Sequence, residues 1–228
     1  MSINKMNSDK STIKLLGAAF LIQAIASGVG FILLDPLIVP GNIVDSMVNI
    51  ANNIFQLRAS IVFQMITAMG IVMLGTLLFV TLKKQNQNIA IVAMGLYIIE
   101  AAILAVSRIP AFLLIQISQE SVITGHPAYL QSLGSLFVEA AEFGDSLHML
   151  VFGIGATLFY SLFFKSKYIP RALSLFGLIA APIALVGTIL ILLGIDFPLI
   201  FMLPNLPFEL GIGLWLLIKG IRDGSETK

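Results

Sequence analysis

The sequence predicts an all-α fold: a polytopic membrane helix bundle with six transmembrane helices and two outer amphipathic helices. Three observations predict it. Of the 228 residues, 58% are hydrophobic and only 11% are charged, where an ordinary soluble domain carries about 25% charged residues. Mean hydropathy is +1.00, and a soluble fold of this size cannot hide that much apolar surface from water. Apolar stretches that could cross a hydrocarbon core of about 30 Å, which takes roughly 20 residues of helix, recur six times along the chain.

The first span is expected at about 14–38 (KLLGAAFLIQAIASGVGFILLDPLI), with residues 1–13 as a tail before it. Lys5, Lys10 and Lys14 precede it as they would a signal peptide. The stretch is too long for a signal-peptide core and no small-residue cleavage site closes it, so it reads as a retained helix. The second span is expected at about 58–82. The third runs from about 88 to 109, with apolar continuation past Pro110 to Ile117. The fourth falls at about 143–164, the fifth at 171–195 and the sixth at 198–218. The last two are joined by a few residues around Asp196, Phe197 and Pro198, which predicts a tight hairpin. The transmembrane domain is thus 14–219, with a tail at 220–228.

Two connections carry their own periodicity. In 41–57, Ile43, Met47, Ile50 and Ile54 recur at helical spacing among Asp45, Asn49, Asn52 and Asn53. In 127–142, Leu130, Leu133, Phe137 and Ala140 alternate with Gln131, Ser135 and Glu139. Both patterns predict amphipathic helices on the outer surface. Orientation follows from the basic residues. With the N-terminus inside, eleven of the 13 lysines and arginines fall on inner segments, and only Arg58 and Arg108 fall toward the outer side. Positively charged loops stay in the cytoplasm, so both termini are expected there.

Charged residues inside spans are the candidates for function, because lipid makes them expensive. At about 1.5 Å per residue, Glu100 lies about 18 Å and Glu209 about 15 Å from the inner face, both near mid-membrane. On the same scale His148 lies about 25 Å and Asp145 about 30 Å from it. Arg58 opens the second span and Arg108 sits near the outer boundary. Glu139, Glu142, Asp145 and His148 are spaced three apart and share a slowly drifting helix stripe. Gly144, Gly153 and Gly155 keep that helix slim, which favours close neighbours. In FPLIFMLPNLPFELGIGLW, Pro198, Pro204 and Pro207 loosen the start of the sixth span beside Asn205 and Glu209. Broken helices beside polar residues are what transporter sites use. Arg58, Glu100, Arg108, Asp145, His148, Asn205 and Glu209 are therefore the candidate ligand-binding residues. Arginine suits a carboxylate or phosphate because its fork binds two oxygens. The structural alternative is that the arginines pair with the acids and hold the bundle together. Glu100 and Glu209 could relay protons, as in coupled transporters, or hydrogen-bond to neighbouring helices.

Other chemistry is excluded or unsupported. There is no cysteine, hence no disulfide and no thiolate chemistry. A net charge of +1 gives no case for nucleic acid. The two histidines stand outside any zinc-binding spacing, and His126 reads as a loop residue, so neither metal nor cofactor is expected. Asp145, Ser146 and His148 are too close along a helix to face one another as a hydrolase triad.

Three stretches carry a likeness: NNIFQLRAS, HMLVFGIGATLFYSLFFKSKYIPRALSLFGLIA and LPFELGIGLWLLIKG. With the six-span layout they resemble the bacterial membrane family DUF4386, over nearly the whole chain. Phe55 and Arg58, His148 followed by Gly153 or Gly155, Ile169-Pro170-Arg171 and Glu209 match its recurring pattern; here Gln56 and Leu57 separate the Phe and Arg that usually adjoin. The resemblance implies that Arg58, His148 and Glu209 form one constellation, and it implies no activity. The expected protein is a multi-pass plasma-membrane protein of a bacterium or archaeon. It contacts membrane lipid and binds or transports a small polar or amphiphilic ligand through an outward-facing polar pocket. The alternatives are an intramembrane lipid-modifying enzyme, with His148 as base, and a structural or regulatory protein without a ligand.

Overall fold

The computed structural model describes residues 3–201 and 203–222, with side chains from residue 10 onward, Leu199 excepted. Lys5 as a side chain and Lys228 lie outside the described residues. The described chain is helical nearly throughout: α1 (Ile3–Leu34), α2 (Ile43–Asn52), α3 (Ile54–Leu82), α4 (Gln87–Val106), α5 (Arg108–Thr124), α6 (Ala128–Ser166), α7 (Arg171–Leu192) and α8 (Asn205–Ile218). Single 3-10 turns occur at Asp35–Leu37 and Leu199–Phe201.

Among the described residues, five helical stretches are long and apolar enough to cross a bilayer: Lys10–Leu37, Ile54–Leu82, Gln87–Thr124, Ala128–Ser166 and Arg171–Leu192. The expected sixth span is helical only in α8, whose 14 residues rise about 21 Å, short of a full crossing. Prolines explain the shortfall. Pro198 and Pro204 lack the N–H that a helix interior needs, and Pro207 is tolerated because it stands in the first turn of α8, where N–H groups have no intrahelical partner. The expected tight hairpin is accordingly a longer connection, 193–204, that leaves α7 through Gly194 at φ 75°.

Six helices nevertheless close a ring. α1 packs on α3, α3 on α4, α4 on α6, α6 on α7, α7 on α8, and α8 back on α1. One apolar core runs through it, from Leu16 and Phe20 through Leu74 and Leu78 to Phe159, Phe163 and Phe208. Glycines permit the closest crossings. A Cβ on Gly17 would stand 2.8 Å from the Gly213 carbonyl, one on Gly155 2.9 Å from the Tyr97 ring, and one on Gly153 2.7 Å from Leu185 Cβ.

A cap stands on one end of the ring, made of α2, α5 and the first part of α6. It has its own small core of Leu37, Ile50, Leu57, Leu114 and Ile115. The periodicity of 41–57 yields α2, with Met47 and Ile50 fully buried. Asn42 starts it by accepting from Asp45 N at 3.1 Å, a side-chain cap for an orphan amide. Met47 then lies over Gly134 of α6. The expected separate helix at 127–142 is instead the first third of α6, which runs unbroken for 39 residues, about 58 Å. Gly144 lies on a face buried against Ser107, so close packing holds it in the helix. The third span, by contrast, breaks at Ser107. Pro110 cannot donate to the Val106 carbonyl and its ring clashes there, so α4 ends at Val106 and α5 starts afresh at Arg108. α5 ends in the left-handed pair Gly125 (φ 76°) and His126 (φ 58°).

The other end of the ring carries Lys10 and Lys14, within the first turns of α1, and Lys83, Lys84, Lys165, Lys167, Arg171, Lys219 and Arg222, at or beyond the helix ends there. Arg222 N donates to Tyr168 O at 2.9 Å, and its guanidinium lies 5.4 Å from the Trp215 ring, which ties the end of α8 to the α6–α7 turn.

Candidate functional site

The seven candidate residues divide into two buried polar groups, one fastening and one surface residue. The first group lies at the α4–α5 break, below the cap. Ser107 closes α4, its N–H donating to the Ile103 carbonyl at 2.9 Å and its hydroxyl to the Leu104 carbonyl at 2.8 Å. The same oxygen accepts from Arg108 Nε at 3.2 Å and from Nη2 at 2.9 Å. Arg108 Nη2 also donates to Asp145 Oδ1 across the α5–α6 contact. His148, one turn further along α6, has Nε2 3.8 Å from the same Asp145 oxygen. That is beyond hydrogen-bond distance, and His148 Nδ1 is buried with no hydrogen-bond partner. Arg108 is 4% exposed, whereas the Asp145 side chain keeps 40%. This group is an ion-paired fastening with one buried and one partly exposed partner.

The second group lies inside the ring. Glu209 on α8 accepts from Gln23 Nε2 on α1 at 2.8 Å. The Gly17–Gly213 crossing makes that possible, because it brings the two helices close enough for a short amide side chain to reach. Gly70 of α3 leaves room for Gln23, since a Cβ added there would stand 2.8 Å from Gln23 Cβ. Glu100 on α4 is 3% exposed, and its Oε2 has no hydrogen-bond partner. Tyr97, one turn away on α4, is held by Gly75 and Gly155 and packs edge-on against Phe159, centroids 5.2 Å apart. Tyr160 on α6 packs against Phe208 of α8 at 4.5 Å. The Tyr97 and Tyr160 hydroxyls approach one another without forming a well-directed hydrogen bond. Glu100, Glu209, Tyr97 and Tyr160 lie close enough to act on one another electrostatically. Four helices thus converge on two carboxyls, two phenols and an amide, all oxygen-bearing and without a basic side chain among them.

Asn205 opens α8, one turn before Glu209, and is buried with Nδ2 3.4 Å from the Ala180 carbonyl of α7. It fastens α8 to α7 near Pro182. Arg58 stands apart. It is exposed on the first turns of α3, and among the described residues it makes no ion pair or hydrogen bond with the acids. Its neighbours Leu57 and Ser60 take the buried face, Ser60 donating to the Gly30 carbonyl at 2.7 Å, so helical phase turns Arg58 outward. The structure therefore brings together Arg108, Asp145 and His148, and separately Glu100 and Glu209, but it does not bring Arg58 to either group. His126 is a turn residue, with Nδ1 3.1 Å from Ser121 Oγ.

Sequence reading missed Gln23, Tyr97 and Tyr160. The available signal was an uncharged polar side chain in the middle of an apolar run, which hydropathy hardly registers. Two clefts lie elsewhere. One of about 270 Å³ sits under the cap between Asn42, Ser46, Ser135, Glu139 and Glu142. The other, about 570 Å³ and almost wholly apolar, flanks the α4–α5 break beside Val106, Ile109, Ala140 and Phe143. Among the described residues no three His, Asp or Glu side chains gather as metal ligands would.

Comparison with known proteins identifies a family but no function. No curated protein and no solved structure matches. The family described as "Domain of unknown function (DUF4386)" matches residues 15–220, which takes in the ring, apart from the start of α1, and the whole cap. The chain belongs to the DUF4386 family of unknown function.

Proposed function

We propose that the protein is a multi-pass plasma-membrane protein of a bacterium or archaeon that binds or transports a small polar or amphiphilic ligand, with the binding chemistry at the acid–tyrosine group inside the ring. The observation that carries this reading is Glu100 Oε2, buried without a partner where Glu209, Tyr97, Tyr160 and Gln23 converge. Buried polar atoms are ordinarily hydrogen-bonded, and an orphan calls for an explanation. Ionisable residues inside membrane spans commonly mark a substrate or ion pathway.

Orientation rests on the basic end of the ring. Positive residues are retained on the cytoplasmic side, so both termini face the cytoplasm and the cap faces outward. The Arg108–Asp145–His148 group then lies between the outside and the acid–tyrosine group. α8 is the movable wall: it is short, follows an irregular connection and packs mainly on α1. Half-length helices of this kind line transporter sites. An enzyme using His148 as base needs a hydrogen bond from His148 to its carboxylate, and the 3.8 Å separation from Asp145 does not supply one.

Native mass spectrometry of gently extracted protein tests the reading. The wild type should carry a specific extra mass that Glu209→Gln and Tyr97→Phe lose. Arg58→Ala, distant from the site, should keep it. A bare wild type, or an adduct indifferent to both site variants, contradicts the proposal.

A further inference from the structure

We infer that the protein pairs with a second copy of itself along α6, through an exposed apolar seam that runs from the bilayer into the cap. The pairing does not depend on a ligand in the ring.

Spacing defines the seam. On α6, Tyr129, Leu133, Leu136, Ala140, Phe143 and Leu147 follow one another at intervals of four and three residues. That 3.5-residue repeat keeps one face of a helix turned toward a helical partner, and it is the pattern of a left-handed coiled coil. The other apolar residues of the stretch face the protein's own interior: Leu130 is 3% exposed, and Phe137 packs on the small core of the cap. The seam stays outside, with Tyr129 63%, Leu136 60% and Phe143 57% exposed.

Lipid does not reach the far half of this seam. Lys165 marks the basic end of α6. At about 1.5 Å per residue, Leu136 stands about 43 Å and Tyr129 about 54 Å along the helix from it. The hydrocarbon core ends after about 30 Å, and the far headgroups within about 5–8 Å more. A tilt of about 20°, usual for such helices, shortens these heights by only about 6%. An apolar stripe that continues past the headgroups marks a protein contact.

A second copy is the occupant that fits. All copies enter the membrane in one orientation, so a two-fold axis along the bilayer normal sets the two α6 helices parallel, seam on seam. In that register Glu139, at the edge of the seam, lies opposite Gly144 of the partner subunit, and no like charges meet. The patch is also large enough. The apolar cleft of about 570 Å³ joins Ala140 and Phe143 to Val106 and Ile109 at the α4–α5 break, and Phe112 follows one turn on. Val106 is 63%, Ile109 56% and Phe112 48% exposed. At roughly 150–200 Å² for a bare large side chain, seam and cleft wall together present roughly 800 Å², which is what each partner of a stable complex contributes.

Cysteine cross-linking in native membranes tests the pairing, since the chain has no cysteine of its own. Under copper–phenanthroline oxidation, Leu136→Cys and Tyr129→Cys should each shift to a band of twice the chain mass. Both positions are exposed, so neither change disturbs the core. Glu142→Cys, which lines the cleft under the cap and points away from the seam, should stay at single mass. Native mass spectrometry should find a wild-type dimer that Leu133→Glu combined with Leu136→Glu converts to monomer, while Asn52→Glu, exposed on α2, keeps it. A single-mass band for both seam variants, equal cross-linking at Glu142→Cys, or a wild-type monomer carrying bound lipid overturns the pairing.

Discussion

Arg108 and Asp145 share one ion pair but not one environment. The guanidinium is buried and the carboxylate is partly exposed. Removing the carboxylate strands a buried cation, which costs about 3–5 kcal/mol, whereas removing the cation leaves an anion that keeps part of its surface exposed. Asp145→Asn should therefore lower the melting temperature much more than Arg108→Gln, and the double variant should recover part of the loss. Thermal melts in detergent check the order. Inside the ring Glu209 is held by a hydrogen bond from Gln23 instead of an ion pair. Glu209→Gln keeps an acceptor for Gln23 and should melt close to wild type. Glu209→Ala leaves a buried amide unpaired and should cost about 1–3 kcal/mol. These two variants separate chemistry from support, because only the alanine should harm folding while both should lose the ligand. At this scale the sequence was a partial guide. Arg108, Asp145, His148, Glu100 and Glu209 stood out because charge is rare in apolar runs. Arg58 stood out for the same reason, yet helical phase and its neighbour Ser60 place it on the surface. Gln23, Tyr97 and Tyr160 blend into hydrophobic helices, and only tertiary packing brings them to the acids.

Close approach, more than helix propensity, distinguishes the helices from one another. α1 and α8 touch backbone to backbone at Gly17 and Gly213, and a Cβ on Gly17 meets the Gly213 carbonyl and Leu217 N, both at 2.8 Å. Backbone cannot step aside as a side chain can, so Gly17→Ala should cost about 1–3 kcal/mol and loosen the Gln23–Glu209 contact with it. Gly95, in mid-α4, has nothing within 4 Å of its added Cβ. Gly95→Ala should be neutral or stabilising by up to about 1 kcal/mol. Paired melts of the two variants check the contrast. Five of the six expected spans coincide with helices long and apolar enough to cross, and α2 was readable from the spacing of its apolar residues. The unbroken course of α6 was not, because amphipathic and fully apolar stretches can follow one another in a single helix without a breaker between them. The break at Ser107 was encoded by Pro110, but its place depended on which carbonyl the proline ring meets.

At the scale of the molecule, the ring brings distant residues to one interior, and the cap covers the end opposite the basic residues. The absence of cysteine makes its orientation directly measurable. Thr124→Cys, exposed in the cap, should react with a membrane-impermeant maleimide on intact cells. Lys84→Cys, exposed at the basic end, should react only after lysis. The reverse pattern would place the termini outside. The family assignment covers the ring and cap together and leaves the chemistry to be read from the interior. In that interior Glu100 keeps one buried oxygen without a hydrogen-bond partner, which we propose receives a guest. An experimental density map of the protein in lipid, refined around Glu100, Glu209, Tyr97 and Tyr160, tests this most directly. The account predicts non-protein density within hydrogen-bond distance of Glu100 Oε2, absent from the map of Glu209→Gln. Glu100 hydrogen-bonded to a protein donor, with no additional density beside it, would contradict the account and leave the charges as fastenings of the bundle.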